Sequence, residues 1–271
     1  MIKRLVPIVL FASACAGGQP PAPPAPVEAR VSRILPQSTA LSTSRMSVKV
    51  EVYNPRAEAV GVKDIAYALD TKDVAGRIEG TVDVNGTLEL EQRATLDFDV
   101  DVPLPKGSED LARLGAMEVV PADLSGQVRI SDGSSVSFTK KSGLAIPTLP
   151  QFIVFDAQAA RYEKKGLDVT LILRLVNENG FTLPVQSVAY TVEVSGKELR
   201  SDEAGVGTRL TAGAAEEYEV SLILDDSSYD GVDALLRSGV VDYIVQGKVQ
   251  TKDFEVPFRH AAKIELAPSS Q

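Results

Sequence analysis

Few side chains in this chain combine a reactive type with a useful spacing. Asp97, Asp99 and Asp101 alternate with Phe98, Val100 and Val102, which places three carboxylates on one face of a single strand at intervals of about 7 Å. Carboxylate oxygens suit Ca²⁺, but such a site needs about six to eight converging ligands and these diverge along a line. The row therefore reads as a solvated outer face. Asp225, Asp226, Asp230 and Asp233 lack the glycine and glutamate spacing of a helix–loop–helix calcium loop, and read as charge at a helix N-terminus, where the macrodipole favours it. His260 is the single histidine and Cys15 the single cysteine, whereas the usual zinc sites need several such ligands. A Ser-His-Asp centre would have to use His260 near the end of a strand, without a Gly-x-Ser-x-Gly elbow. Gly76, Gly80 and Gly86 are not placed as strand, glycine-rich turn and helix, so they read as turn glycines and not as a phosphate cradle. Lys140-Lys141 and Lys164-Lys165 are isolated basic pairs in a chain of net charge −9, better suited to turns than to a nucleic-acid surface. The expectation is a protein without catalytic residues, metal site or cofactor, and without nucleic acid as partner.

Cys15 is the exception, because chemistry is expected to be done to it. Met1-Ile2-Lys3-Arg4 gives a positive start, and Leu5 to Ala14 is a short apolar run ending in small residues, as in a secretory signal. The run falls short of the roughly 20 apolar residues needed to span a bilayer. Its end, Phe11-Ala12-Ser13-Ala14-Cys15-Ala16, resembles the bacterial lipobox, with Ala12 where leucine is usual. That resemblance implies a cleaved signal over 1–14 and a diacylated Cys15 as the mature N-terminus, the membrane partner being reached through this lipid. Cleavage after Ala12-Ser13-Ala14 with Cys15 left as a free thiol is the alternative. Two features favour lipidation: Cys15 is the only cysteine, and residues 15–25 form a Pro-rich tether suited to a polyproline II spacer of about 3 Å per residue. Ala16, where aspartate often marks inner-membrane retention, resembles lipoproteins sorted onward, which implies the periplasmic face of the outer membrane.

The elements that follow are organised as a repeat. Val48-Lys49-Val50-Glu51-Val52-Tyr53-Asn54 alternates apolar and polar residues, and Leu171 to Asn177 sets its apolar residues at the same positions 123 residues later; both predict strands. Ile65-Ala66-Tyr67-Ala68-Leu69 matches Val188-Ala189-Tyr190-Thr191-Val192, Leu96 to Val102 matches Tyr218 to Leu224, and Gly126-Gln127-Val128 matches Gly247-Lys248-Val249. Val136 and Phe138 correspond to Val256 and Phe258, after small loop deletions of the kind surface loops tolerate. Each copy opens with a further strand, near Val27–Ile34 and Phe152–Gln158, and holds a short helix, Ser108–Gly115 and Ser228–Gly239, opened by acidic and serine residues and closed by glycine. The boundaries predicted are a first unit over 26–141, a linker over 142–149 with scope for a hinge, a second unit over 150–265 and a tail over 266–271. Hydrophobic content of 44% with charged content of 24% is that of folded domains. Many short alternating strands in about a hundred residues predict a mainly β fold, two tandem antiparallel β-sandwiches of immunoglobulin or fibronectin III type, each with one short helix. A net acidic surface, more acidic once Lys3 and Arg4 leave with the signal, argues against nucleic acid.

The order of these motifs is similar to the type 2 late embryogenesis abundant domain, also called the water stress and hypersensitive response domain. The family signature is close to Asn-Pro-Asn; here the copies read Asn54-Pro55-Arg56 and Asn177-Glu178-Asn179, two of three positions each. Asparagine accepts the left-handed conformation and caps turns, so Asn54 and Asn177 are expected to end a strand and set the next loop. The resemblance implies a non-catalytic stress protein that binds or shields other proteins, client proteins being its partners, under desiccation, cold or heat. A scaffold or assembly lipoprotein binding one envelope partner is the other reading. Nothing in the sequence sets the oligomeric state.

Overall fold

The structure is a computed structural model that describes residues 25–162 and 166–266. Cys15, the signal and most of the tether, as well as Lys164-Lys165 and most of the tail, lie outside the described residues. No helix among the described residues is long and apolar enough to cross a membrane.

The first half runs β1 (Glu28–Ala40), β2 (Thr43–Tyr53), β3 (Val60–Thr71), β4 (Gly76–Leu88), β5 (Arg93–Pro103), α1 (Ser108–Gly115), β6 (Val120–Ile130) and β7 (Ser135–Leu144). The second runs β8 (Gln151–Tyr162), β9 (Gly166–Val176), β10 (Leu183–Val194), β11 (Lys197–Ala204), β12 (Arg209–Leu210), β13 (Ala215–Leu224), α2 (Val232–Ser238), β14 (Val240–Thr251) and β15 (Glu255–Glu265). All ladders between these strands are antiparallel. In the first half a three-stranded sheet β1-β2-β5 faces a four-stranded sheet β4-β3-β6-β7; in the second, β8-β9-β13 faces β11-β10-β14-β15, with β12 also on β10. Three strands against four is the fibronectin III arrangement of the antiparallel sandwich.

Alternation explains both layers. In β2, Met46, Val48, Val50 and Val52 are buried while Arg45, Ser47, Lys49 and Glu51 face outward; β9 repeats this with Leu167, Val169, Leu171, Leu173 and Leu175. One inward row per strand is how a two-layer core is closed. Inside each sandwich an aromatic meets a glycine across the ladder. Tyr67 stands opposite Gly80 on β4 and Gly126 on β6, and Tyr190 opposite Gly247 on β14. A Cβ on Gly247 would collide with the Ala189 carbonyl, and one on Gly80 with the Tyr67 ring. Gly80 and Gly86 therefore belong inside a strand and not in turns; only Gly76, with φ +70°, turns the chain.

Other expectations are corrected here. Lys140-Lys141 lie within β7, not in a turn. α2 is shorter than expected: it starts at Val232, because the Asp225 carboxylate accepts from the backbone N–H groups of Ser227 and Ser228 (2.9 Å each) and holds those residues in a turn. Asp225 thus caps that turn, and only Asp233 lies in the first turn of the helix.

Candidate functional site

Asn54 and Asn177 do end β2 and β9, but not through a left-handed backbone; the positive-φ non-glycine residues described are Asn85, Glu91 and Ser195. Both asparagines are fully buried. The Asn54 amide donates to the carbonyls of Glu58, Leu88 and Glu89 (2.8, 3.2 and 3.1 Å) and its oxygen accepts from Arg56 N–H. Asn177 repeats the pattern with Phe181, Leu210 and Thr211 (2.8, 3.1 and 3.0 Å) and with Asn179 N–H. Each thus ties two loops of one sandwich end together. Arg56 also pairs with Asp132 (2.7 Å) and donates to the Ala25 carbonyl, so Ala25 lies beside this end of the first sandwich. The Ser134 hydroxyl, with Arg56 second, holds the Asp132 carboxyl well below the usual carboxylate range.

At the junction the Asn177 end of the second sandwich meets the opposite end of the first. Leu41, in the β1–β2 turn, is buried among the second core's residues together with Leu104 and Leu111, and Val74 and Ile146 pack against both cores. The linker is latched as well. Asn179 accepts from Thr148 N–H and donates to the Thr148 carbonyl (2.8 Å each), while its amide also reaches the Asn177 oxygen (2.9 Å). Ser38 donates to the Ala145 carbonyl at 3.1 Å. The segment expected to allow a hinge is held at both ends.

This packing leaves a groove of about 800 Å³ between the segment after α1, the linker and β15. Leu111 and Leu114 of α1 are buried in its floor, while Met117, Val119 and Ile153 keep 38%, 59% and 36% exposure at its rim. Pro147, Pro150 and Pro257 add apolar wall without N–H groups, and Glu118 and Arg259 supply charge at the edge. Exposed apolar side chains gathered in one concavity mark a place where another apolar surface can be buried. Two shallower troughs, of about 670 and 750 Å³, repeat on the outer faces of the four-stranded sheets, over Ala66 and Ala68 in one and Ala189 and Thr191 in the other.

The residues singled out for chemistry are kept apart. Asp97, Asp99 and Asp101 face outward along β5, and β2 supplies each with a partner: Lys49 at 3.3 Å, Ser47 at 2.6 Å and Arg45 at 2.7 Å. His260 lies within β15, half-buried, with Tyr243 as ring neighbour at 6.2 Å. Among the described residues no group of three or more His, Cys, Asp or Glu side chains is gathered as a metal site would require. The groove escaped the sequence reading because its walls come from three segments far apart in the chain, around Met117 and Val119, at Ile153 and at Pro257. Only the apolar residues just past Gly115 hinted at it.

The fold class is thus an antiparallel β-sandwich, built twice. Residues 173–262, from β9 into β15, match the family model described as late embryogenesis abundant protein. No curated protein matches. Among solved structures, the solution structure of an Arabidopsis thaliana protein is 14% identical, covering 47% of this chain and 88% of that one with a TM-score of 0.35. Red sea bream transglutaminase is 14% identical over 89% of this chain, which spans 32% of that enzyme, with a TM-score of 0.30. A protein from Archaeoglobus fulgidus is 13% identical, covering 44% of this chain and 97% of its own, with a TM-score of 0.29.

Proposed function

We propose that this chain is a lipid-anchored envelope protein, held through Cys15 at the periplasmic face of the outer membrane, that binds other proteins in the inter-sandwich groove and shields them under desiccation, cold or heat. The observation that carries this reading is the cluster of exposed Met117, Val119 and Ile153 around one concavity. The late embryogenesis abundant match over 173–262 supports the stress context, and the latched linker supports a preformed groove. Its exposed Met117, Val119 and Ile153 suit the burial of apolar side chains, with Glu118 and Arg259 at the edge for polar groups of a bound protein. Light scattering of a heat- or freeze-stressed enzyme tests this. Protection is expected at equimolar protein, and Val119→Asp with Ile153→Asp should abolish it; equal protection by that variant refutes the groove. Mass spectrometry of the mature N-terminus tests the anchor, a diacylated Cys15 being expected and a free thiol contradicting it.

The rigid latch also favours the scaffold reading, in which one envelope partner fits a groove of fixed shape. A pulldown returning a single stoichiometric partner supports that version; weak binding to many unfolded proteins supports the shielding version.

A further inference from the structure

Exposed sheet edges template pairing with other chains, and natural proteins blunt them with prolines, charges, bulges, short strands or covering segments. Most edges here are blunted. β1 carries Pro36 and two register shifts and lies against β7, while β8 carries a shift at Val154/Asp156 and lies against β15, which contains Pro257. β5 presents Asp97, Asp99 and Asp101, β13 presents Glu216, Glu217 and Glu219, and β11 has only eight residues. β4 differs. It has 13 residues without proline, its one register shift falls near its end, its exposed charges Arg77, Glu79 and Asp83 are of both signs and not one, and among the described residues its only ladder is with β3.

The regular part of β4 has a defined centre. Gly76, with φ +70°, begins it, and Asn85, with φ +46° opposite the Val62/Asp64 register shift, ends it. Gly80 is the midpoint between Gly76 and Val84. Arg77, Glu79, Thr81 and Asp83 are exposed on the outer face, while Ile78 and Val82 are half-buried on the inner one.

We propose that β4 pairs antiparallel with β4 of a second copy of this chain, centred on Gly80, to join two four-stranded sheets across a two-fold axis. In that register Arg77 faces Asp83 of the second copy, twice by symmetry, Ile78 faces Val82, and Glu79 faces Thr81. Among the described residues Asp83 has no cation at ion-pair distance, and Arg77 pairs with Glu79 of its own strand at 2.6 Å on one edge of its guanidinium; the dimer brings the Arg77 guanidinium to Asp83 of the second copy as well. Neighbouring registers that keep both faces aligned are disfavoured. Centring on Thr81 sets Glu79 against Asp83, and centring on Glu79 sets that carboxylate against its own copy, and like charges directly opposite destabilise a pair. The symmetry is isologous and closes at two. This proposal is independent of the groove.

Sedimentation equilibrium of residues 15–271 with Cys15→Ser tests it, at about 10–200 µM because one edge pair buries less than a standard interface. A monomer–dimer equilibrium is expected. Arg77→Asp or Asp83→Arg should weaken it about tenfold by creating two like-charge pairs, and the double exchange Arg77→Asp/Asp83→Arg should restore it. Mixing Glu79→Cys and Thr81→Cys chains under oxidation should cross-link the mixture and neither chain alone. A monomer throughout that range, a dimer indifferent to the single reversals, or no rescue by the double exchange overturns the proposal.

Discussion

Asn177→Ala should unfold the second sandwich well before the first. The Asn177 amide makes three hydrogen bonds to backbone carbonyls and its oxygen accepts two more, from Asn179 N–H and Asn179 Nδ2, with the side chain fully buried. A net hydrogen bond contributes about 1 kcal/mol, and a buried partner left unsatisfied costs more. Truncation should therefore destabilise by about 3–5 kcal/mol. It should also loosen the linker, because Asn179, which clasps Thr148, rests on the Asn177 oxygen. Asn54→Ala should cost a similar amount in the first sandwich, where that linker contact does not exist. Asn177→Asp is the sharper variant. It keeps the shape but points a carboxylate at three carbonyl oxygens, so at neutral pH it should be at least as damaging as alanine. Urea unfolding followed by tyrosine fluorescence reads the two transitions, the midpoint shift converting through the slope. An Asn177→Asp protein within about 1 kcal/mol of the native one would refute the reasoning, since the amide donors would then contribute little.

Further outcomes follow from the packing and the charges. Leu41→Ala should cost about 2–4 kcal/mol and separate the two unfolding transitions in calorimetry, because this first-sandwich side chain is 3% exposed within the second core. Gly247→Ala should cost about 2 kcal/mol or more, whereas Gly180→Ala, with open space around it and no positive φ, should be neutral in the same melt. The Ser227 hydroxyl first, then Ser228 and backbone N–H groups, hold Asp225 down to about 2. A depressed carboxylate stabilises above its unfolded value near 4 and loses that contribution as pH falls toward the folded one. Carbon-detected NMR titration should show Ser227→Ala moving the Asp225 midpoint upward, with less acid sensitivity between about pH 4 and 2.

The layers were legible because burial on one face imposes a period of two. Met46 to Val52 and Leu167 to Leu175 are buried rows that a reader of the sequence can mark, and the helix expected at Ser108–Gly115 is the helix found. The helix expected at Ser228–Gly239 was harder: its serines and aspartates serve equally to start a helix or to cap a turn, and Asp225 decides for the turn, leaving Val232–Ser238 helical. Gly80 and Gly86 looked like turns because glycine adds nothing to the alternating pattern, and their place in a strand shows only across the β3–β4 hairpin, where they stand opposite Tyr67 and Val62. Lys140-Lys141 were misplaced because exposed strand positions tolerate lysine as readily as turns do. Asn54 and Asn177 were recognised as strand ends, but two of the three carbonyl partners of each lie more than thirty residues away. The groove depends on how the second sandwich seats on the first, which no local pattern encodes.

Hydrogen exchange of the chain with and without a heat-unfolded client enzyme tests the central claim most directly, because it reports where a client sits. The groove account predicts slowed exchange in residues 116–120 and 144–153 and unchanged exchange in β2, in the opposite sheet of the first sandwich, and in β11 and β13, at the sheet edges away from β15 and β8. Uniform exchange with client present, or protection confined to surfaces outside the groove, would contradict it.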